Sequence, residues 1–101
     1  MSRSFVIRYL ATAVRDLEDI FDYIAKDRPA AAVSLLDKLD HTITQLADFP
    51  EMGVVPKDDR LKRLGYRLLI IENYLVFYVI KFETIQIRRI IHGARQYGFL
   101  M

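Results

Sequence analysis

The sequence predicts an α+β domain: an N-terminal strand, an antiparallel two-helix hairpin, then a three-stranded antiparallel meander, with the helices packed on one face of the sheet. Two rhythms carry that prediction. Between residues 12 and 46 apolar side chains recur every three or four positions. Between residues 66 and 92 they fall in β-branched and aromatic runs separated by two-residue breaks. At 101 residues the chain is expected to be one domain, 1–101, because a second core buries too little apolar surface to offset the entropy of ordering it.

The first element is SFVIRYL, residues 4–10, where Phe5, Ile7 and Tyr9 alternate with Val6, Arg8 and Leu10 as a strand requires. From Thr12, a good N-cap, Val14, Leu17, Phe21 and Ile24 lie along one side of a helix of about four turns. KDRPAAA interrupts it, and Pro29 suits the first position of a second helix, since its missing N–H has no intrahelical partner there. Ala32, Leu36, Leu39, Ile43 and Leu46 then step by four, three, four and three, a stripe expected to pack against the first helix.

Phe49-Pro50 ends the second helix, and EMGVVPKDDR reads as a loop. YRLLII (66–71) and YLVFYVIK (74–81) flank Glu72-Asn73, which suits a tight hairpin, and Phe82-Glu83 turns the chain into TIQIRRIIH, Thr84–His92. Strict alternation in this last strand puts Ile85, Ile87, Arg89 and Ile91 on one face and Gln86, Arg88, Ile90 and His92 on the other. The isoleucine-rich set is expected under the helices, with Arg88 and His92 on an open face.

Composition limits the chemistry. With no cysteine, disulfides, thiolate catalysis and Cys-based zinc sites are excluded. The apolar start is too short and too broken by Arg8 for a signal peptide, and no stretch reaches membrane-spanning length, so the chain reads as soluble and cytoplasmic. Residues 1–53 carry six Lys/Arg against nine Asp/Glu, net −3; residues 54–101 carry nine against four, net +5. An anionic partner for the C-terminal half is one reading of that asymmetry, and segregated surface charge is the other.

The densest positive stretch is PKDDRLKRLGYRLL, with Lys57, Arg60, Lys62, Arg63 and Arg67; a second group, RRIIHGARQY, adds Arg88, His92, Arg95 and Tyr97. Metal-free RNA cleavage needs an arginine fork on the phosphorane and groups that move protons at the 2′ and 5′ oxygens. Arg67 and Arg95 suit the first task, and Tyr97, His92 or Lys62 the second, while Arg60, Arg63, Lys57 and Arg88 suit substrate binding. The alternatives stay open: His92 also suits a satisfied strand end, and Tyr97 a cover for the core edge. No phosphate loop, H-E-x-x-H or G-x-S-x-G is present. His41, near Asp37, Asp40 and Asp48, reads as a surface ion pair, and no metal or cofactor is expected.

Taken in order, the opening strand leading into LEDIFDYIA, then LADFPEMG, GYRLL, ENYLVFYVI and IIHGARQY resemble the RelE/ParE family of toxins from bacterial type II toxin–antitoxin systems, over essentially the whole chain. The resemblance implies a compact sheet with two N-terminal helices and a cognate antitoxin that neutralises the toxin. In ribonuclease members it implies action on mRNA in the ribosomal A site. Arg67 in GYRLL then matches the strand arginine, Arg95 in HGAR the C-terminal arginine, and Arg60 falls near a catalytic lysine. Asp58 stands where those members carry a second lysine, and Tyr97 follows Arg95 more closely than their catalytic tyrosine does. Other members poison DNA gyrase without being nucleases, so the resemblance implies ribosome and mRNA, or gyrase, as the target.

Overall fold

The computed structural model describes residues 4–93, and Arg95 and Tyr97 lie outside the described residues. Strand β1, Val6–Tyr9, leads into helix α1, Ala11–Ala25, and helix α2, Pro29–Thr44, which runs on into a 3₁₀ turn at Gln45–Ala47. Helix α3, Asp59–Arg63, precedes strands β2, Tyr66–Ile71, β3, Tyr74–Lys81, and β4, Thr84–His92. The sheet order is β1-β4-β3-β2; β1 runs parallel to β4, and the other pairs are antiparallel. The α+β architecture expected from the sequence is therefore present, with β1 completing the meander at its β4 edge.

The helical hairpin buries Ala13, Leu39, Ile43 and Leu46 against Val76, Tyr78, Ile85, Ile87 and Ile90. Pro29 opens α2 as its missing N–H predicts. The stripe on α1 differs from expectation by one position: Ala13 is fully buried and Val14 is 42% exposed. Thr12 is not the cap. Only Leu10 separates β1 from the helix, and its carbonyl accepts the amides of Ala13 and Val14. The Thr12 hydroxyl instead donates to the carbonyl of Arg88, 2.8 Å away on β4.

That contact marks the main departure from simple alternation. Phe77 pairs with Arg89 while Tyr78 pairs with Ile87, so Arg88 is one extra residue in β4, a β-bulge. The strand changes phase there. Ile85, Ile87 and Ile90 lie under the helices, whereas Ile91 joins the opposite side with Leu68, Leu75, Phe77 and Val79. His92 pairs with Tyr74 and meets its ring edge-on at 5.3 Å, so it stands on the helix side and not on the open face expected of it. Arg88 does face away from the helices, over the Tyr66 ring.

The second face is also not bare. Residues 59–63, expected as loop, form α3, and fully buried Leu61 packs with Tyr66, Leu68 and Phe77 into a second apolar cluster. Asp58 starts this helix by accepting the amides of Arg60 at 2.9 Å and Leu61 at 3.1 Å. One turn of helix is too short to show a period in sequence.

Candidate functional site

Two side chains of the sheet hold the loop that follows α2. Tyr78 is fully buried in β3 beneath residues 50–53; its hydroxyl donates to the Pro50 carbonyl at 2.8 Å and accepts the Gly53 amide at 3.0 Å. Beside it, Arg67 of β2 donates from Nη1 to the Gly53 carbonyl at 2.7 Å and to that of Glu51 at 3.4 Å. Val54 then bridges Leu68 through both backbone bonds, at 2.9 and 2.7 Å. A Cβ on Gly53 would stand 2.7 Å from the Tyr78 hydroxyl and 2.9 Å from the Leu68 carbonyl, so only glycine fits this close approach. Burial pushes the Tyr78 phenol above its ordinary value, against the Gly53 bond and the Arg67 charge, which keeps the proton it donates to Pro50.

Because Arg67 pairs with Tyr78, it stands on the helix side of the sheet. Lys57, Arg60, Lys62 and Arg63 are exposed on and beside α3, on the other side, and none of them makes an ion pair among the described residues. Arg88 shares their side. Its guanidinium lies 5.6 Å from the Tyr66 ring centre and donates to Gln86 Oε1 at 2.9 Å, while its Nε is buried without a hydrogen-bond partner among the described residues. The fold thus gathers Arg88 with the α3 cations and separates both from Arg67. His92 shares a side with Arg67, but its partner Tyr74 is four residues from Tyr78, a separation on the order of 13 Å along the strand.

Sequence reasoning missed Tyr78 and Gly53. The available signal was a tyrosine inside the apolar run YLVFYVI, because a buried phenol needs a polar partner. It also missed Asp16, whose carboxylate takes both Arg89 Nε and Nη2 and the Ile90 amide just past the bulge. The ion pair expected for His41 is absent among the described residues: its ring lies 3.4 Å from the Gln45 amide nitrogen. No group of three His, Asp or Glu among the described residues is placed to hold a metal ion. No helix among them is long and apolar enough to cross a membrane.

The fold is thus a helical hairpin on a mixed four-stranded sheet, with a clamped loop on one side and a basic turn on the other. The family model described as the ParE toxin of the type II toxin–antitoxin system parDE matches residues 7–97, and the chain belongs to that family. Toxin RelE2 of Caulobacter vibrioides is 33% identical over 84 residues, covering 82% of this chain and 89% of that protein. Among solved structures, a chain of the chromosomal ParDE system from P. aeruginosa superposes with a TM-score of 0.76 at 21% identity, covering 90% of this chain and 98% of that one. A chain of the RelBE2 toxin–antitoxin complex from Mycobacterium tuberculosis gives 0.63 at 22% identity, covering 94% and 98%. At these identities the two structures speak for the fold.

Proposed function

We propose that this toxin is neutralised by a cognate antitoxin and arrests growth by binding DNA gyrase, with no bond made or broken by its own residues. The observation that carries the reading is the engagement of Arg67: its guanidinium holds loop carbonyls on the helix side, away from Arg88 and the α3 cations. A phosphorane needs its donors converging on one point. Membership in the ParE family supports the same target. Such a target, like the ribosome, would place the protein in the cytoplasm.

The test is biochemical. Purified toxin is expected to inhibit supercoiling by gyrase and to trap gyrase on cleaved DNA, and to leave mRNA intact on programmed ribosomes. Ribosome-dependent cleavage with unaffected gyrase reverses the assignment.

The name and 33% identity of RelE2, together with the exposed cations of α3, favour a second reading, ribosome-dependent mRNA cleavage. Arg67 and Arg95 would then hold the phosphate and Tyr97, His92 or Lys62 would move protons, with Lys57, Arg60, Arg63 and Arg88 along the RNA. Under this reading Arg67 has to leave the Gly53 carbonyl before it can act. Harmless overexpression without antitoxin would instead mark the chain as an antitoxin-binding remnant.

A further inference from the structure

We propose that the side of the sheet carrying α3 and Arg88 docks the phosphate backbone of duplex DNA, without reading its bases. The inference deepens the gyrase reading by making the DNA in that complex a direct partner of the toxin, and its first test is made without gyrase. The arginines of the C-terminal half divide by what they hold. Arg67 is engaged by loop carbonyls and Arg89 by the Asp16 carboxylate. Lys57, Arg60, Lys62, Arg63 and Arg88 make no ion pair among the described residues. Arg88 adjoins Arg89 in sequence, yet it donates to the neutral Gln86 side chain, and its Nε has no hydrogen-bond partner among the described residues. The Tyr66 ring, 5.6 Å away, fixes this guanidinium in place and leaves its charge uncompensated.

The fold turns these five cations into one surface. Leu61 is fully buried, so Arg60 and Lys62 flank it at about 100° to either side on α3 and Arg63 turns outward. Asp58 is occupied by the amides of Arg60 and Leu61. Residues 57–63 carry four Lys/Arg against two Asp, and Arg88 brings the net to +3. Across the sheet, the helical hairpin, residues 11–44, carries four Lys/Arg against seven Asp/Glu, net −3. A polyanion is therefore drawn to one side and repelled from the other.

The aromatic groups select a duplex over a single strand. Single strands are held by stacking bases on exposed rings. On the basic side Tyr66 is 8% exposed beneath Arg88 and Phe77 is fully buried. The strongly exposed rings among the described residues, Tyr23, Phe49 and Phe82, sit on α1, on the loop after α2 and on the β3–β4 turn. Cations without a stacking platform suit a backbone whose bases stay paired.

The experiment measures fluorescence anisotropy of a short random-sequence duplex titrated with the full chain, freed of antitoxin, across a salt series. Binding is expected on the order of 10 μM at physiological salt, with a log–log salt slope of about −4. Lys62→Gln/Arg63→Gln is expected to make the slope shallower by about 2 and to weaken binding about tenfold, and Arg88→Met to remove about 1 from the slope while Arg88→Lys retains it. Lys26→Gln/Lys81→Gln removes the same charge away from this side and is expected to leave the slope unchanged. Equal loss in that control overturns the proposal, as does a wild-type slope no steeper than about −1. So does a tenfold preference for single-stranded RNA or for polyglutamate, which would make the occupant an RNA or an acidic protein. Supercoiling assays separate this inference from the gyrase reading. DNA binding without gyrase inhibition removes gyrase as target and leaves the docking surface, whereas full inhibition by a variant that no longer binds DNA overturns the docking role and leaves the target.

Discussion

Asp16 and Arg89 are 73 residues apart and form a two-pronged ion pair, Nε to Oδ2 at 2.8 Å and Nη2 to Oδ1 at 3.0 Å. The same Oδ2 accepts the Ile90 amide at 2.9 Å, so one carboxylate fastens α1 to β4 just past the bulge. The Arg89 guanidinium is held above its ordinary value by this bond, and its side chain remains 29% exposed against 12% for Asp16.

Replacing Asp16 should therefore cost more than a surface pair and less than a sealed one. Asp16→Ala is expected to lower unfolding free energy by about 2 kcal/mol, and Asp16→Asn by roughly half that, because an acceptor for the Ile90 amide survives. Urea denaturation of both variants measures this. Equal losses would mean that charge, not the amide bond, dominates.

Gly53→Ala has no open direction for its methyl, which meets a hydroxyl and a backbone carbonyl under 3 Å away. A loss of about 2 to 3 kcal/mol is expected, with the Tyr78 bonds breaking first. Chemical denaturation gives the magnitude, and exchange at the neighbouring Val54 amide shows whether the loop alone has opened.

Alkaline pH should destabilise the protein. Tyr9 stands at about 12, raised by burial and then by Asp40, and burial also raises Tyr78 and Tyr74. Between about pH 10 and 12 the unfolded chain has lost phenolic protons that the folded chain retains, so stability present below pH 10 falls as pH rises. Tyr9→Phe is expected to flatten part of that decline in melts taken from pH 8 to 11.5. An unchanged slope would show that Tyr9 is not the group responsible.

The bulge makes an unusual deletion tolerable. Removing Arg88 leaves Ile87 beside Arg89 opposite Tyr78 and Phe77, which preserves every downstream pair and face. The deletion variant is expected to fold with a melting temperature within about 8 °C of wild type, a loss near 1 kcal/mol. Deletion of Ile87 in the same strand should unfold it, since that removes a fully buried side chain. Circular dichroism melts distinguish the two.

These particulars show what was legible in the sequence and what was not. Local rules found helices α1 and α2 and all four strands, because Leu39, Ile43 and Leu46 or the run YRLLII announce their own period. The bulge was hidden: RRII contains no glycine or asparagine to mark it, and the side chains that hydrogen-bond its backbone, Asp16 and Thr12, lie on another element. Extending alternation through Arg88 therefore put Ile90, Ile91 and His92 on the wrong faces. Helix α3 was too short for periodicity, although Asp58 was a legible cap. Arg67 was read from the sequence as a phosphate holder; its engagement with Gly53 was not legible, because it depends on a fold that returns the loop across β2.

The most direct measurement is made on living cells. Induce the wild-type chain without its antitoxin, then map mRNA 5′ ends and follow the DNA-damage response in the same culture. Growth arrest with an early DNA-damage response and no new mRNA ends is the predicted result. Abundant cleavage within translated codons, with a silent damage response, would contradict it.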